Sequence, residues 1–478
     1  MALVLYNTLN RQKEEFQPQH PSKLWFQKPS VSLYTCGPTV YDYPHLGNLR
    51  TYIFEDILKR VLIANGYDVK HVMNITDVGH LTSDADEGED KMEKGAKQTG
   101  KTVQEIAEYF TKIFKDNINE LNILKPDKWT PATKYIKEQI ELIKRLETKG
   151  FSYETNQAVY FNVAKFPNYT KLSRQPLEDK QAGSRSEVVV DKQKKHPVDF
   201  ALWFKLAGRF KNHALHWPSP WGEGFPGWHV ECSAMSMNML GDTIDIHCGG
   251  IDHISVHHTN EIAQSEAATG KTFVRYWLHG EFLTIDQGKM AKSEGNFLTL
   301  DTLKQKKINP LAYRFLILSA HYRSPISFSW NSLASAQEGL HNLYDKFTSL
   351  QKPLISLPVR LAKFSKEEEK FKNDFMNAVS DDLNTPQALA VTWETLKSNI
   401  EDTCKRELLI KFDKVLGLGL EDMNPVSIPT RVSKFVKERE QARQNKDWSK
   451  SDELREEIEK LGFKVEDSDS GPQVKAKR

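Results

Sequence analysis

The chain has 478 residues, of which 39% are apolar and 27% charged, and a formal net charge of +2. Those proportions describe an ordinary globular protein, and no repeat or low-complexity tract is evident; near-neutrality argues against indiscriminate nucleic-acid binding through one global basic field. Cys36, Cys232, Cys248 and Cys404 are too few and too widely spaced for a disulfide framework, the apolar run at 2–6 is too short for a signal segment, and no stretch approaches a membrane span, so a cytoplasmic location without membrane contact is expected.

Residues 31–36 (VSLYTC) read as a strand that runs into Gly37-Pro38, a loop to His45, and an amphipathic helix over 49–62 that stops at Asn65-Gly66. A second strand is predicted over 68–76, which makes a βαβ unit with its ligand crevice at the strand ends. The acidic stretch around 84–90 reads as a surface loop of unassigned role. Helical periodicity fills 101–150, broken at Pro126 and Pro131. A polar, strand-poor region follows over 151–226 and reads as an insertion; its 191–196 segment (DKQKKH) and residues 475–478 are the local basic patches. A helix over 227–237 and a strand over 243–247 resume the first fold. Beyond 303 the pattern is a helical bundle, with helices over 311–319, 330–350, 366–379, 386–399 and 407–416. A Pro-marked break at 424–429 precedes a charged helix pair around Trp448 and a short strand at 463–465.

Two short motifs carry chemistry. Pro44-His45-Leu46-Gly47-Asn48 opens the first helix, where an imidazole and a carboxamide three residues apart, with the positive helix end, suit a phosphate; Gly47 would admit close approach of a nucleotide. Lys289-Met290-Ala291-Lys292-Ser293, between Gly288 and Gly295, describes a basic loop that can close on a triphosphate. Either alone is weak, and the bland alternatives are a surface histidine and an exposed lysine turn. Their order behind a βαβ start points to chemistry on ATP. His257 and Glu261, at i and i+4, share one helix face, and with two cysteines from the two halves of the fold they make a donor set suited to a tetrahedral metal.

The strings YTCGPTVYDYPHLGNLR (34–50), PGWHVECSAM (226–235), DIHCGGIDHISVHHTNEIAQSE (245–266), KMAKS, LSAHYRSPISFS (318–329) and DDLNTPQAL (381–389) together resemble the cysteinyl-tRNA synthetases of class I over nearly the whole chain. The resemblance implies an α/β Rossmann-type catalytic domain with an insertion, then an α-helical bundle and a small anticodon-binding domain. On that pattern 1–125 and 227–270 are the two catalytic halves, 126–226 the insertion, 271–330 the lysine-loop and stem-contact region, 331–425 the bundle and 426–478 the terminal domain. It implies activation of L-cysteine with ATP and magnesium and transfer to tRNA(Cys), by a monomer. Cys36, Cys232, His257 and Glu261 are implied as ligands of one zinc ion, with His247, Cys248, His253 and His258 as neighbours. Thr39, His45, Gly47, Asn48, Lys289, Lys292 and Ser293 are implied at ATP, with His45, Asn48, Lys289 and Lys292 catalytic, and Gly37, Thr76, Trp228 and Asp252 at the amino acid.

Zinc would answer a physical difficulty: serine differs from cysteine by one atom, pocket shape separates them poorly, and a metal bonds thiolate far better than alcohol. The chain departs from the family where Asn48 and Ala291 replace the usual histidine and serine, where Cys248 replaces a small residue, where Val78-Gly79-His80 follows the Asn-Ile-Thr-Asp string, and where the terminal tryptophan is missing. Two alternatives share parts of the pattern: a ligase joining cysteine to glucosaminyl-inositol, which typically lacks the extended terminal region, and a silent zinc-bearing tRNA-binding paralogue, which would be expected to have lost a lysine or a metal ligand.

Overall fold

Alternating strands and helices in the first 280 residues build one parallel sheet, seen in a computed structural model of the chain. The structure describes all residues except 1, 22–27, 79–80, 84–86, 91, 94, 97–99, 178–190, 286–287, 290–296, 351–364, 424–428, 469–470 and 477–478. A hairpin, β1 (Val4–Asn7) and β2 (Gln12–Glu15), precedes β3 (Ser30–Thr35), α1 (Leu46–Ala64), β4 (Asp68–Ile75), α2 (Val103–Glu120) and β5 (Lys128–Pro131). After α3 (Ile136–Thr148) come four antiparallel strands, β6 (Ser152–Glu154), β7 (Ala158–Phe161), β8 (Phe200–Lys205) and β9 (Gly224–Pro226). The parallel sheet then resumes through α4 (Trp228–Leu240), β10 (Ile244–Gly250), α5 (His257–Thr269) and β11 (Val274–Gly280).

The sheet order is β11-β10-β3-β4-β5, every pair parallel. Its order reverses between β3 and β10, so the crevice at their carboxyl ends is the topological switch point where such sheets take ligands. The residues that leave both strands there are Cys36 and Ile251, and Cys36 N donates to Cys248 O at 3.1 Å across the gap. Two features depart from the expectation. Lys128–Pro131 pairs with β4 instead of opening the insertion, because Thr130 and its neighbours extend the sheet edge before Pro131 ends it. The 151–226 region is also not strand-poor: the run FALWFK forms β8, which is buried between β7 and β9.

Beyond β11, β12 (Leu283–Ile285) turns antiparallel onto β13 (Gly288–Lys289) and pairs parallel with β14 (Ile326–Phe328). Between them lie α6 (Leu300–Gln305) and α7 (Pro310–Leu318); the bundle continues as α8 (Trp330–Ser349), α9 (Lys366–Ser380), α10 (Thr385–Lys397) and α11 (Asp402–Leu416). The terminal segment is α12 (Thr430–Gln444), α13 (Trp448–Lys460) and a hairpin, β15 (Phe463–Ser468) and β16 (Gly471–Ala476), with its own small core of Val432, Val436, Ile458, Phe463 and Val465. Among the described residues no helix is long and apolar enough to cross a membrane.

Catalytic sheet and bundle share one apolar core, which runs from Leu33 and Ile53 to Leu340, Phe375 and Leu416. A buried ionic network pins that junction. Asp56 on α1 accepts from Arg60 Nε at 2.8 Å, Arg314 Nη2 at 2.5 Å and Leu124 N at 2.8 Å. Fully buried Arg314 also donates to the helix-end carbonyls of Leu416 (2.7 Å) and Leu121 (3.0 Å). Removing one partner of a buried pair leaves the other charge desolvated and unpaired, at about 3–5 kcal/mol. Asp56→Ala is therefore expected to lower the thermal unfolding midpoint by several degrees, while Lys370→Ala, from an exposed ion pair with Asp374, leaves it within a degree.

Candidate active site and metal centre

A cleft of about 360 Å³ opens at the switch point. Its lining brings together Cys36, Gly37, Thr39, His45, Asn48, Trp228, Cys232, Asp252 and His257. Backbone constraints set its floor. Gly37 N donates to Asn74 Oδ1 at 2.7 Å, and a Cβ on Gly37 would sit 1.7 Å from Asn74 O, so no other residue fits there. Thr76 stands behind that loop, not among the residues lining the cleft: it is buried, accepts from Asn74 Nδ2 at 3.1 Å, and its backbone bonds Pro38 O and Val40 N.

His45 is the N-cap of α1. Its Nδ1 accepts from Asn48 N at 3.1 Å, and Asn48 Oδ1 accepts from His45 N at 3.2 Å, a reciprocal capping box. That accepted bond puts the imidazole proton on Nε2, and it leaves Asn48 its NH2 group to present; both side chains line the cleft at the positive helix end. Gly47 also answers a constraint within the cap itself. A Cβ there would come 2.9 Å from His45 Cε1, so glycine clears space for the capping ring. Lys289 lies in β13, paired with Thr284, whereas Lys292 and Ser293 fall outside the described residues.

At the inner end of the cleft the donor atoms of Cys36, Cys232, His257 and Glu261 all lie within 4.8 Å of one another, and all four residues are buried. Around a tetrahedral ion with bonds of about 2.0–2.3 Å, ligand atoms stand roughly 3.3–3.8 Å apart. The set fits such an ion. Glu261 Oε1 is 3.0 Å from His257 Nε2 without an aligned hydrogen bond, so a buried carboxylate oxygen is left for another partner. A second set, Cys36, His247, His258 and Glu261, meets the same criterion. His247 Nε2 is 3.1 Å from Glu261 Oε2, and His258 Nε2 is 3.3 Å from Cys36 Sγ. The far ring nitrogens are engaged in turn: His258 Nδ1 lies 2.8 Å from His279 Nε2, and His257 Nδ1 lies 3.0 Å from His229 Nδ1. The resemblance named His247 and His258 only as neighbours of the ligand set, and the structure brings a ring nitrogen of each to one of its donors.

The electrostatics are those of a dry, anionic nest. Burial alone would raise the Glu261 carboxyl, but His247 and His257 outweigh it and hold it down at about 2. Burial would lower His257, yet the charges of Glu261 and Cys232 carry it up to about 10. The two thiols share a proton: a hydrogen bond from Cys36 draws Cys232 down to about 6, while burial first and Cys232 second push Cys36 well up. Burial, reinforced by the surrounding histidines, keeps His258 and His279 far below the usual imidazole range, hence neutral. Trp228 covers His257, ring centroids 4.1 Å apart, and Asp252 stands at the end of β10 on the same cleft.

A parallel sheet with a crevice at its switch point, a capped helix start facing that crevice and a lysine-bearing hairpin beyond it define the catalytic core of a class I tRNA synthetase. Residues 24–338 match the family model of the class I (C) tRNA synthetase catalytic domain, and the fold is shared with Mycobacterium tuberculosis methionyl-tRNA synthetase bound by methionyl-adenylate (TM-score 0.54, 16% identity, 83% of this chain and 92% of that one). Residues 427–474 match the cysteinyl-tRNA ligase anticodon binding domain. The chain is 46% identical to cysteine–tRNA ligase of Treponema denticola over 98% of both chains. It is 46% identical to cysteine–tRNA ligase 1 of Burkholderia lata over 99% of this chain and 97% of that one. The chain thus belongs to the cysteine–tRNA ligase family of class I aminoacyl-tRNA ligases.

Proposed function

We propose that this chain activates L-cysteine with ATP to cysteinyl-adenylate and pyrophosphate, then transfers the cysteinyl group to the 3′ end of tRNA(Cys). The observation that carries this reading is the convergence of four buried donors, two thiol sulfurs, an imidazole and a carboxylate, at the end of a cleft that also holds Trp228, Asp252 and a capped helix start. Cys36, Cys232, His257 and Glu261 would hold zinc. A zinc ion there supplies a bond to the substrate sulfur that an alcohol cannot match, which separates cysteine from serine without an editing site.

The chain's own groups do the rest. Asp252 pairs with the substrate ammonium, and Trp228 supplies an apolar wall that also covers His257. Gly37 and Thr76 shape the loop against which the amino acid lies. The substrate carboxylate then attacks the α-phosphate in line, and charge gathers on phosphoryl oxygens. His45 Nε2–H, the Asn48 NH2 and the positive end of α1 face that charge, with Thr39 beside them. Lys289, Lys292 and Ser293 take the charge of the departing pyrophosphate, and magnesium accompanies ATP. Since this work is positioning and electrostatic, the replacements at Asn48 and Ala291 keep a donor and a small residue where each is wanted.

Reading of the anticodon falls to the terminal segment, which favours tRNA over a small-molecule acceptor. Trp448 is 57% exposed, a platform on which a base can stack. Asp467 is gathered by Arg439 (2.9 Å), Arg443 (3.3 Å) and Arg455 (3.8 Å), so acceptor and donors for base edges stand together.

Two outcomes follow. Purified protein should carry about one zinc per chain, and Cys232→Ser should lose zinc and cysteine-dependent pyrophosphate exchange together, because an alcohol replaces a thiolate ligand; metal content by mass spectrometry beside the exchange assay checks this, and full zinc with normal exchange contradicts it. A chain ending at residue 425 should keep pyrophosphate exchange, since the assigned cleft residues lie at or before 293. It should need more tRNA for charging and discriminate less among anticodon variants, as measured by kcat/KM for each tRNA; unchanged relative efficiencies would move recognition to the bundle or the acceptor stem.

A further inference from the structure

The rim of the cleft carries aromatic side chains to which neither half-reaction, as described, gives a part. Tyr43 comes from the loop between β3 and α1, and Tyr109 and Phe110 come from α2. Tyr43 is 37% and Tyr109 44% exposed, so both rings are open to solvent beside the cleft. The three pack edge to face: Tyr43 and Phe110 at 5.2 Å, Tyr109 and Phe110 at 5.1 Å, Tyr43 and Tyr109 at 6.4 Å between centroids. The two tyrosine hydroxyls are 3.0 Å apart, so each ring fixes the other's orientation. Tyr43 and Phe110 line the cleft, while Tyr109, which does not, continues their surface outward. Lys101 Nζ lies 4.8 Å from the Tyr109 ring centre.

A pre-oriented aromatic shelf with a cation over one face of Tyr109 suits a nucleobase and its phosphate: the base stacks on the rings, and the lysine answers the backbone charge. Transfer requires the terminal ribose hydroxyl of the tRNA to reach the adenylate carbonyl inside the cleft. The base on that same ribose must then lie at the rim. The adenine of ATP is the other candidate, but a nucleotide enclosed beside His45 and Asn48 does not meet Tyr109, whereas a single strand entering from solvent passes over it. We propose that Tyr43, Tyr109 and Phe110 stack the 3′-terminal base of the tRNA and that Lys101 faces its phosphate. The proposal rests on the tRNA-charging reading above.

Binding of tRNA(Cys) and of the same tRNA lacking its 3′-terminal nucleotide, each to the unaltered protein and to Tyr109→Ala and Tyr109→Phe, tests it. The unaltered protein should bind the complete tRNA about tenfold more tightly than the shortened one. Tyr109→Ala should remove most of that difference by weakening only the complete tRNA, and Tyr109→Phe should keep it, since the stacking face remains. Tyr109 sits on an exposed helix face, so the variant is expected to fold. Equal weakening of both tRNAs, or of neither, overturns the proposal. A raised KM for ATP in pyrophosphate exchange with unaltered tRNA binding also overturns it and assigns the shelf to the adenine of ATP. Failure of the underlying reading would show differently: the unaltered protein would neither exchange pyrophosphate with cysteine nor charge the tRNA.

Discussion

Anionic donors brought together away from water are the constraint around which the catalytic half is arranged. Cys36 leaves β3, Cys232 sits in α4, and His257 and Glu261 share one face of α5, so the site exists only because the sheet order places β3 beside β10. A Cys232 thiolate and the Glu261 carboxylate buried in one small volume repel one another, and with both held low it is the Cys36 proton that is costly to lose. The protein meets part of that cost with imidazoles: His257 takes a proton, His247 lies against Glu261, and neutral His258 and His279 extend the network outward to Thr8 Oγ1 at 2.8 Å. A divalent cation held there would displace the His257 proton and neutralise the donors in its place, since a ligating imidazole is neutral. The four donors thus make a buried site that suits a divalent cation.

The cleft, the hairpin and the bundle are joined by direct contacts. Arg50, one residue pair beyond the His45 cap box on α1, donates to the carbonyls of Phe282 and Ser324, which flank β12 and precede β14. Phe54 on the same helix stacks on Tyr322 at 4.5 Å, and Tyr322 donates to Asp382 at 2.7 Å. Asp382 also accepts from Tyr6 N at 2.9 Å and from Arg323 Nε at 2.8 Å, which ties the amino-terminal hairpin to the start of α10. The helix that presents the cap to the cleft is thus the helix that holds the lysine-bearing hairpin and meets the bundle. Placement of the capped helix start and of the lysine-bearing hairpin depends on that shared rod.

Much of this was legible in the chain itself. The strands at 31–36 and 68–76, the helix between them and all five bundle helices were signalled by period, Gly stops and Pro starts, and agree with the structure within a few residues; the largest shifts are at Leu46, which the capping box draws into α1, and at Asp402, where α11 begins five residues before the expected 407. Lys128–Pro131 escaped because a four-residue strand between two prolines carries no alternation to read. FALWFK escaped because its apolar run lies in a segment whose composition is otherwise polar, and a buried strand lacks period-2 contrast. In the site, donor identity was readable from residue type and spacing together with the family's blocks. The parts that were not readable are relations across the fold: His247 reaching Glu261, Gly47 clearing the His45 ring, Thr76 acting from behind Gly37, and the pairing of Tyr43 with Tyr109.

The central claim is that the buried tetrad recognises the substrate through sulfur. It is tested most directly by replacing the bound metal with cobalt(II) and titrating with cysteine and with serine while following the thiolate-to-cobalt charge-transfer absorption. Cobalt in a tetrahedral site with two protein thiolates should already absorb there, and cysteine should add one further thiolate's worth of intensity, saturating at one equivalent, while serine adds none. Cysteine binding that leaves the charge-transfer band unchanged would contradict the account, because the amino acid would then be chosen by the pocket walls and not by the metal.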